Sequence, residues 1–268
     1  MQRRPTSTAP TLLAAALTLA LATTAGAATL TQTIDRTLPL RAGSELVVRN
    51  VNGPVTLGTW DRDEVRLVAV KRVKAGSESA AREGLEALEV DIEQSADGLR
   101  IETDQPRHGD GLFSWATGTS VQYEVRYTLT VPRSVRLDAS TVNGSVKAEG
   151  LAGEIRLGTV NGGVHVRDTR GALEAHTTNG AIDAELVQVT RDARLAFTTT
   201  NGSIDLALPS DVRGRLQANT TNGSISSDFP VTVEGRYGPK SVRGDLNGGG
   251  HATLKLATTN GGIKIRRL

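Results

Sequence analysis

Hydrophobic and polar residues alternate in a repeating pattern along the C-terminal half of this 268-residue chain. Apolar residues occupy every second position over short runs, which is typical of β-strands with one buried face. Asn-Gly dipeptides separate these runs at Asn143, Asn161, Asn179, Asn201, Asn222 and Asn260. Self-similarity of this kind predicts a repeat architecture.

Other positions of the repeat are shared as well. A Thr lies two residues before every Asn of the array, as Thr177 does before Asn179. Apolar residues lie six and four residues before the Asn and three residues after it, as in Leu173, Ala175 and Ile182. Each repeat therefore reads as a strand, an Asn-Gly corner, a second strand and a second corner.

A seventh copy of the repeat lies upstream around Asn52, with Asn50 in place of the Thr. Between this copy and the array come the strand-like run EVRLVAVKRV, a helical segment at about 77–88, two alternating runs and the strand-like run VQYEVRYTLTVP. We expect this stretch to form an enlarged first coil or a capping subdomain. The sequence thus divides into an N-terminal β region at 28–132 and a repeat array at 133–268.

Two main architectures fit the repeat, and they differ in what covers its apolar face. Asn-Gly is the preferred two-residue turn of an antiparallel hairpin, so stacked hairpins or a sandwich are one interpretation. The array, however, offers no amphipathic helix or second set of strands to cover a wide hairpin sheet. A solenoid solves this problem because each coil turns its apolar columns inward and stacks on the next coil. An outer-membrane barrel is disfavoured, because it needs strands of about nine to eleven residues.

The first 27 residues read as a secretory signal peptide. Arg3 and Arg4 precede an apolar run of about ten residues, which is followed by the small-residue stretch Ala25-Gly26-Ala27. Removing this segment leaves 29 basic and 29 acidic residues, so we expect no nucleic-acid partner. The chain lacks cysteine, and no stretch is long enough to predict an integral membrane protein. We therefore predict an exported protein, periplasmic or extracellular.

The order of several motifs resembles one known family. The segments VVRNVNGPVTLGTWDRDEVRLVAVKR and YEVRYTLTVPRSVRLDASTVNGSVKAEGLAGEIRLGTVNGGVHV, with a short helix between them, are similar to bacterial β-strand-repeat proteins known as putative adhesins. That family is a domain of unknown function found in cell-envelope settings. The resemblance covers nearly all of the chain after the signal segment and implies an all-β, right-handed solenoid-like fold. It implies no active site, so no catalytic residue is assigned.

Two groups of residues are candidate sites. Phe113 and Trp115 lie in a Gly-rich polar loop and either bind a ligand or fold back to cap the end of the solenoid. His165, Asp183 and Asp205 each lie four residues after an Asn, on the outward side. If successive coils stack in register, these three side chains form a column that either holds a divalent cation or is a plain polar surface.

The sequence favours a structural or adhesin-like role over catalysis. We expect a rigid, mixed-charge surface that binds a cell-envelope glycan or protein, with no cofactor; the oligomeric state is left open. Asn52 and the six array Asn residues are predicted to be structural corners. The alternative function is a polysaccharide-active or metal-dependent solenoid enzyme, and this alternative requires Asp183 and Asp205 to lie close together in a groove.

Overall fold

The computed structural model describes residues 18–24, 27–106, 121–233 and 240–268. In these ranges the fold is all-β apart from a single helix. The elements before the array are β1 (Thr18–Thr24), β2 (Ala27–Pro39), β3 (Glu45–Arg49), β4 (Val55–Trp60), β5 (Glu64–Ala75), α1 (Glu78–Ala87), β6 (Glu89–Gln94), β7 (Gly98–Asp104) and β8 (Gln122–Pro132).

The array continues with thirteen strands in the described residues. They are β9 (Arg136–Asn143), β10 (Val146–Glu149), β11 (Ala152–Asn161), β12 (Val164–Asn179), β13 (Ile182–Gln188), β14 (Arg194–Asn201), β15 (Ile204–Leu208), β16 (Gly214–Asn222), β17 (Ile225–Ser227), β18 (Val231–Val233), β19 (Ser241–Leu246), β20 (Ala252–Asn260) and β21 (Ile263–Arg267).

The strands form two rows. The first row has the order β6-β7-β3-β9-β11-β12-β14-β20-β16-β19-β18. The second has the order β1-β2-β5-β8-β4-β10-β12-β13-β15-β21-β17. Neighbours are parallel except near the ends of the rows, and β12 takes part in both. The chain passes from one row to the other at each Asn-Gly link, which makes the fold solenoid-like.

The strands on either side of an array link do not pair with each other. β9, for example, pairs with β3 and β11, whereas β10 pairs with β4 and β12. A hairpin turn of the Asn-Gly type needs positive φ angles, and none of the six array links has one. The hairpin interpretation is therefore wrong.

The apolar columns predicted from the alternation meet in register inside the fold. Leu173 pairs with Ile155 on one side and Leu195 on the other, and all three are buried. Residues of both rows belong to one hydrophobic cluster. Ile225 is only partly buried, because β17 lies at the end of its row. The core is thus a stack of apolar layers between the rows.

The upstream copy of the repeat is part of the same stack. Leu46 pairs with Leu137, Val55 pairs with Val146, and Asn52 forms a bridge with Asn143. The intervening chain returns through β5, α1, β6, β7 and β8, which extend the two rows beyond this copy. The sheets therefore continue across residues 132 and 133.

The predicted helix is confirmed as α1. Its N-terminus is capped by Ser77, whose hydroxyl accepts a hydrogen bond of 3.2 Å from the backbone N–H of Ala80. Ala81, Gly84 and Leu85 form its buried side, which packs against β2 and β5. A Cβ on Gly84 would lie 3.0 Å from a Val73 methyl group, so a small residue is needed for this close packing.

The order of the coils differs from the order of the sequence. Stacking of successive coils would place β16 beside β14, but the last coil, β20 and β21, lies between them. Every coil carries the same apolar, Thr and Asn columns, so the repeat alone does not determine which coil stacks on which. The free side of β16 is covered instead by the antiparallel strand β19.

Each Asn-Gly link contacts its neighbour through three hydrogen bonds. The hydroxyl of Thr177 donates to the carbonyl of Gly162 at 2.8 Å, and the Asn179 amide donates to Asn161 Oδ1 at 2.9 Å. The backbone N–H of Gly162 donates in return to the carbonyl of Asn179 at 3.0 Å. The shared Thr and Asn columns therefore hold neighbouring coils together.

The Gly of the link is required by this close approach. A Cβ on Gly180 would lie 1.9 Å from the carbonyl oxygen of Gly162, and the other array links show the same clash at 1.9–2.2 Å. Space, and not an unusual φ angle, excludes a side chain here.

Replacing Gly180 by Ala should destabilise the protein by about 1–3 kcal/mol, because the coils must move apart to admit the methyl group. The matched control is Gly58→Ala, since a Cβ on Gly58 meets nothing within 4 Å. Chemical denaturation measures both free energies of unfolding. Equal stabilities of the two variants would contradict the proposed role of the glycine.

Candidate binding surface

The Asn side chains of the links form one continuous ladder on the surface. Each amide nitrogen donates to Oδ1 of the Asn in the adjacent coil at 2.7–2.9 Å, in the spatial order Asn52, Asn143, Asn161, Asn179, Asn201, Asn260 and Asn222. The upstream copy thus joins the ladder of the array. At its first end, Asn52 donates to Oε1 of Gln105 at 3.0 Å.

Buried threonines support the ladder from inside. The Thr of each array repeat donates its hydroxyl to a Gly carbonyl of the adjacent coil, as in Thr199 to Gly180 at 2.9 Å. In the upstream copy, Asn50 takes this role and donates to the carbonyls of Gly53 and Val125. The described residues contain no buried side-chain polar atom without a partner. The link region is therefore fixed by the Asn side chains at the surface and by the Thr side chains inside the fold.

A column of β-branched residues runs beside the ladder. It consists of the residues directly before each array Asn, which are exposed: Val142, Val160, Thr178, Thr200, Thr259 and Thr221. Val142 and Val160 are 39% and 41% exposed and stand next to each other in neighbouring coils. We call this column and the Asn ladder together the Asn ridge. It presents amide and methyl groups at the spacing of adjacent strands, about 4.8 Å.

The predicted column of His165, Asp183 and Asp205 does exist. His165 pairs with Asp183 in adjacent strands, and Asp183 pairs with Asp205. The next residue in space is Lys264, because β21 lies beside β15. The register prediction holds for these three residues, which share the outward side of the second row.

Both carboxylates of this column are engaged by arginines. Arg167 donates to Asp183 through two nitrogens, at 2.9 and 2.5 Å, and Arg266 donates to Asp205 at 2.6 Å. The hydrogen bonds from Arg167 hold the pKa of Asp183 below its usual value of 3.8, and the charges of His165 and Arg266 act in the same direction. Neither arginine belongs to the predicted column; Arg167 lies two residues after His165 on the same side of its strand.

This arrangement suits an ion-pair network better than a metal centre. Among the described residues, no group of three or more His, Asp or Glu side chains could hold a metal ion. The metal hypothesis for His165, Asp183 and Asp205 stays a prediction. A cation would have to displace the two guanidinium groups, which already neutralise the carboxylates.

Phe113 and Trp115 lie outside the described residues, so their predicted binding role stays a prediction as well. No helix within the described parts of the chain has the length and apolar character needed to cross a membrane.

The repeated coils, the Asn ladder and the shared core define a β-repeat protein of solenoid-like architecture. The chain belongs to the Toastrack DUF4097 family, whose model matches residues 114–266. The resemblance to the putative-adhesin domain of unknown function is thereby confirmed.

Several solved structures resemble the chain at low identity. One is a putative cell adhesion protein from Clostridium sporogenes, with 13% identity, a TM-score of 0.40 and coverage of 87% of this chain and 99% of that one. Another is a putative adhesin from Bacteroides fragilis, with 11% identity, a TM-score of 0.30 and coverage of 88% and 97%. No curated protein matches the chain.

Replacing Asp183 by Asn should lower the free energy of unfolding by about 0.5–1 kcal/mol near neutral pH, since Arg167 loses its charged partner. The folded-state pKa of Asp183 is depressed, so this contribution is present above the unfolded-state pKa. It is lost as the pH falls through the lower folded-state pKa. Urea denaturation of both proteins over a pH series measures the difference.

Glu174→Gln is the control, because Glu174 is 58% exposed and lies 3.6 Å from its partner Arg156. Glu174→Gln should lower the free energy of unfolding by less than Asp183→Asn does. A difference between wild type and Asp183→Asn that is independent of pH would contradict the ion-pair explanation. A divalent cation that stabilises the wild type but not the variant would instead support the metal hypothesis.

Proposed function

We propose that this chain is an exported, non-catalytic β-repeat protein of the cell envelope that presents a rigid surface for binding, as adhesin-like and scaffolding modules do. The observation that carries this proposal is the Asn ridge, whose exposed side chains are tied to one another from coil to coil. A surface that is ordered in advance loses little conformational entropy when a partner binds.

The geometry of the ridge supports a repetitive or extended partner. Six hydrogen-bonded Asn–Asn contacts give it a length of about 29 Å at the inter-strand spacing. Its amides offer donors and acceptors, and the neighbouring methyl groups offer apolar contact. A cell-envelope glycan or an extended protein segment matches this mixture.

We further propose that the solenoid is right-handed and that the Asn-Gly links, including Asn52, are its corners. The alternation of the chain between the two rows at each link supports the corners, and the right-handed sense follows the general rule for connections between parallel strands of one sheet. In this proposal, 1–27 is the signal peptide, 28–132 is the N-terminal β region with the inserted helix, and 133–268 is the repeat array.

Removal of the signal segment is compatible with the fold. In the full chain β1 pairs antiparallel with the first half of β2, and cleavage after Ala27 would remove β1. The other side of β2 pairs with β5 along twelve residues, from Ala28 opposite Ala75 to Pro39 opposite Glu64. The processed protein would keep β2 in place through this longer contact.

The precursor, expressed with its own N-terminus in a bacterial host, should be exported and begin at Ala28, as measured by intact mass. A signal peptidase needs small residues before the cut, so Ala25→Lys combined with Ala27→Lys should block processing. Thr31→Lys is the control and should be processed normally. Full-length wild-type chain that stays inside the cell would refute the export proposal.

The purified chain should be retained by isolated cell-envelope fractions that contain peptidoglycan or outer glycans. Thr200→Lys should weaken retention about tenfold, because a long charged side chain interrupts contact along the Asn ridge. Thr128→Lys makes the same exposed change on β8, away from the ridge, and should bind like the wild type.

Sugar release is measured in parallel with retention. Retention without release supports a binding module, and equal loss in both variants would remove the ridge as the binding surface. Released sugar would instead favour the alternative, a polysaccharide-active or metal-dependent enzyme. Asp183 and Asp205 are adjacent in register, so they would be the first residues to substitute in that case.

A further inference from the structure

The insertion of the last coil brings three connecting segments together. Residues 189–193 lead into β14, residues 209–213 lead into β16, and residues 247–251 lead into β20. Because β20 lies between β14 and β16, these segments enter three adjacent strands of the first row. They therefore meet at one side of the fold, where the strand order departs from the sequence order.

Hydrogen bonds hold the three segments in contact. The amide nitrogen of Asn247 donates to the carbonyls of Ser210 and Val212 at 3.1 and 2.7 Å. Just beyond the third segment, the backbone N–H of Thr253 in β20 donates to the carbonyl of Ala193, in the first segment, at 2.9 Å. The segments thus form a defined structure rather than three independent loops.

An open cavity of about 410 Å³ lies between these segments. Its polar lining includes Thr190, Arg191, Asp211, Arg213 and His251. Val189, Pro209 and Val212 supply an apolar part. The volume lies within the range of about 300–1,000 Å³ that is usual for small-molecule sites.

The two guanidinium groups of the cavity are available for a ligand. Arg191 and Arg213 form no ion pair with any described residue, unlike Arg167 and Arg266 on the second row. Arg191 Nη2 lies 3.1 Å from Nε2 of His251, and because Arg has no acceptor it is the donor in this contact. Guanidinium groups fit carboxylate and phosphate oxygens well, because they donate through a planar fork.

The acidic and apolar parts of the lining narrow the ligand class. Asp211 would repel a simple anion, but its carboxylate can accept hydrogen bonds from hydroxyl groups. Val189, Pro209 and Val212 can contact the C–H face of a ring. Hydroxyls, a ring and a negative group are found together in acidic sugars.

We propose that this cavity binds a sugar that carries a carboxylate or phosphate group. Arg191 and Arg213 hold the negative group, and Asp211 accepts hydrogen bonds from the hydroxyls. The site is separate from the Asn ridge, so its test does not depend on export or on envelope binding.

The test is calorimetric titration of the purified full chain with four probes: galacturonate, glucose 6-phosphate, glucose and inorganic phosphate. At least one of the two acidic sugars should bind more tightly than both glucose and phosphate. The Arg191→Ala, Arg213→Ala double variant should bind that sugar at least about tenfold more weakly, as expected for loss of charged hydrogen bonds. Comparison of galacturonate with glucose 6-phosphate shows which negative group is preferred.

Two controls keep the test specific. Arg136→Ala with Arg243→Ala removes two exposed arginines of the first row that form no ion pair with a described residue, and it should bind like the wild type. Asp211→Ala removes the acceptor and should weaken sugar binding without weakening binding of phosphate. Thermal melting checks that each variant is folded.

Three results would overturn the proposal. One is that neither acidic sugar binds. Another is that the arginine double variant, shown to be folded, binds the sugar as well as the wild type does. The third is that inorganic phosphate binds as tightly as glucose 6-phosphate while galacturonate fails to bind, which would indicate an anion site without sugar recognition.

Discussion

Neighbouring coils of this protein meet at the carbonyl group of one glycine. The oxygen of Gly162 accepts a hydrogen bond from the hydroxyl of Thr177 at 2.8 Å. A Cβ added to Gly180 would lie only 1.9 Å from the same oxygen. This approach sets the distance at which the Asn amides can reach each other and the apolar layers can pack. The Thr, Asn and Gly of the motif are thus three parts of one contact. Loss of any one of them affects the fit of the other two.

The same contact explains which part of the fold could be predicted. Alternation and the recurring Thr-x-Asn-Gly indicate the strands, the inward columns and the register, and the structure pairs Leu173 with Ile155 and Leu195 as expected. The order of the coils could not be predicted, because the repeated contact is the same at every interface. A repeat encodes how coils join but not which coils join. β20 lies between β14 and β16, and the other side of β16 pairs with the antiparallel strand β19, which the repeat does not contain.

The candidate sites also differ in how far they could be predicted from the sequence. The column of His165, Asp183 and Asp205 follows from register alone, so it could be located from the sequence. Its chemistry could not, because Arg167 and Arg266 reach the carboxylates from other positions of neighbouring coils. The cavity near Arg191 and His251 had no sequence signal at all. It exists because of the inserted coil, and the segments that line it lie outside the regular columns.

The inserted coil also has consequences for folding. In a solenoid whose coils stack in sequence, each new coil can add to the one before it, so folding can proceed by local contacts. Here β14 pairs with β20, and Asn201 contacts Asn260 across 59 residues. Closing this longer loop costs more chain entropy than joining successive coils does. The strands β16 and β17 join the stack through the C-terminal coil, because β16 pairs with β20 and β17 pairs with β21. The C-terminal coil therefore occupies an inner position of the stack, and its insertion brings the segments around the cavity together.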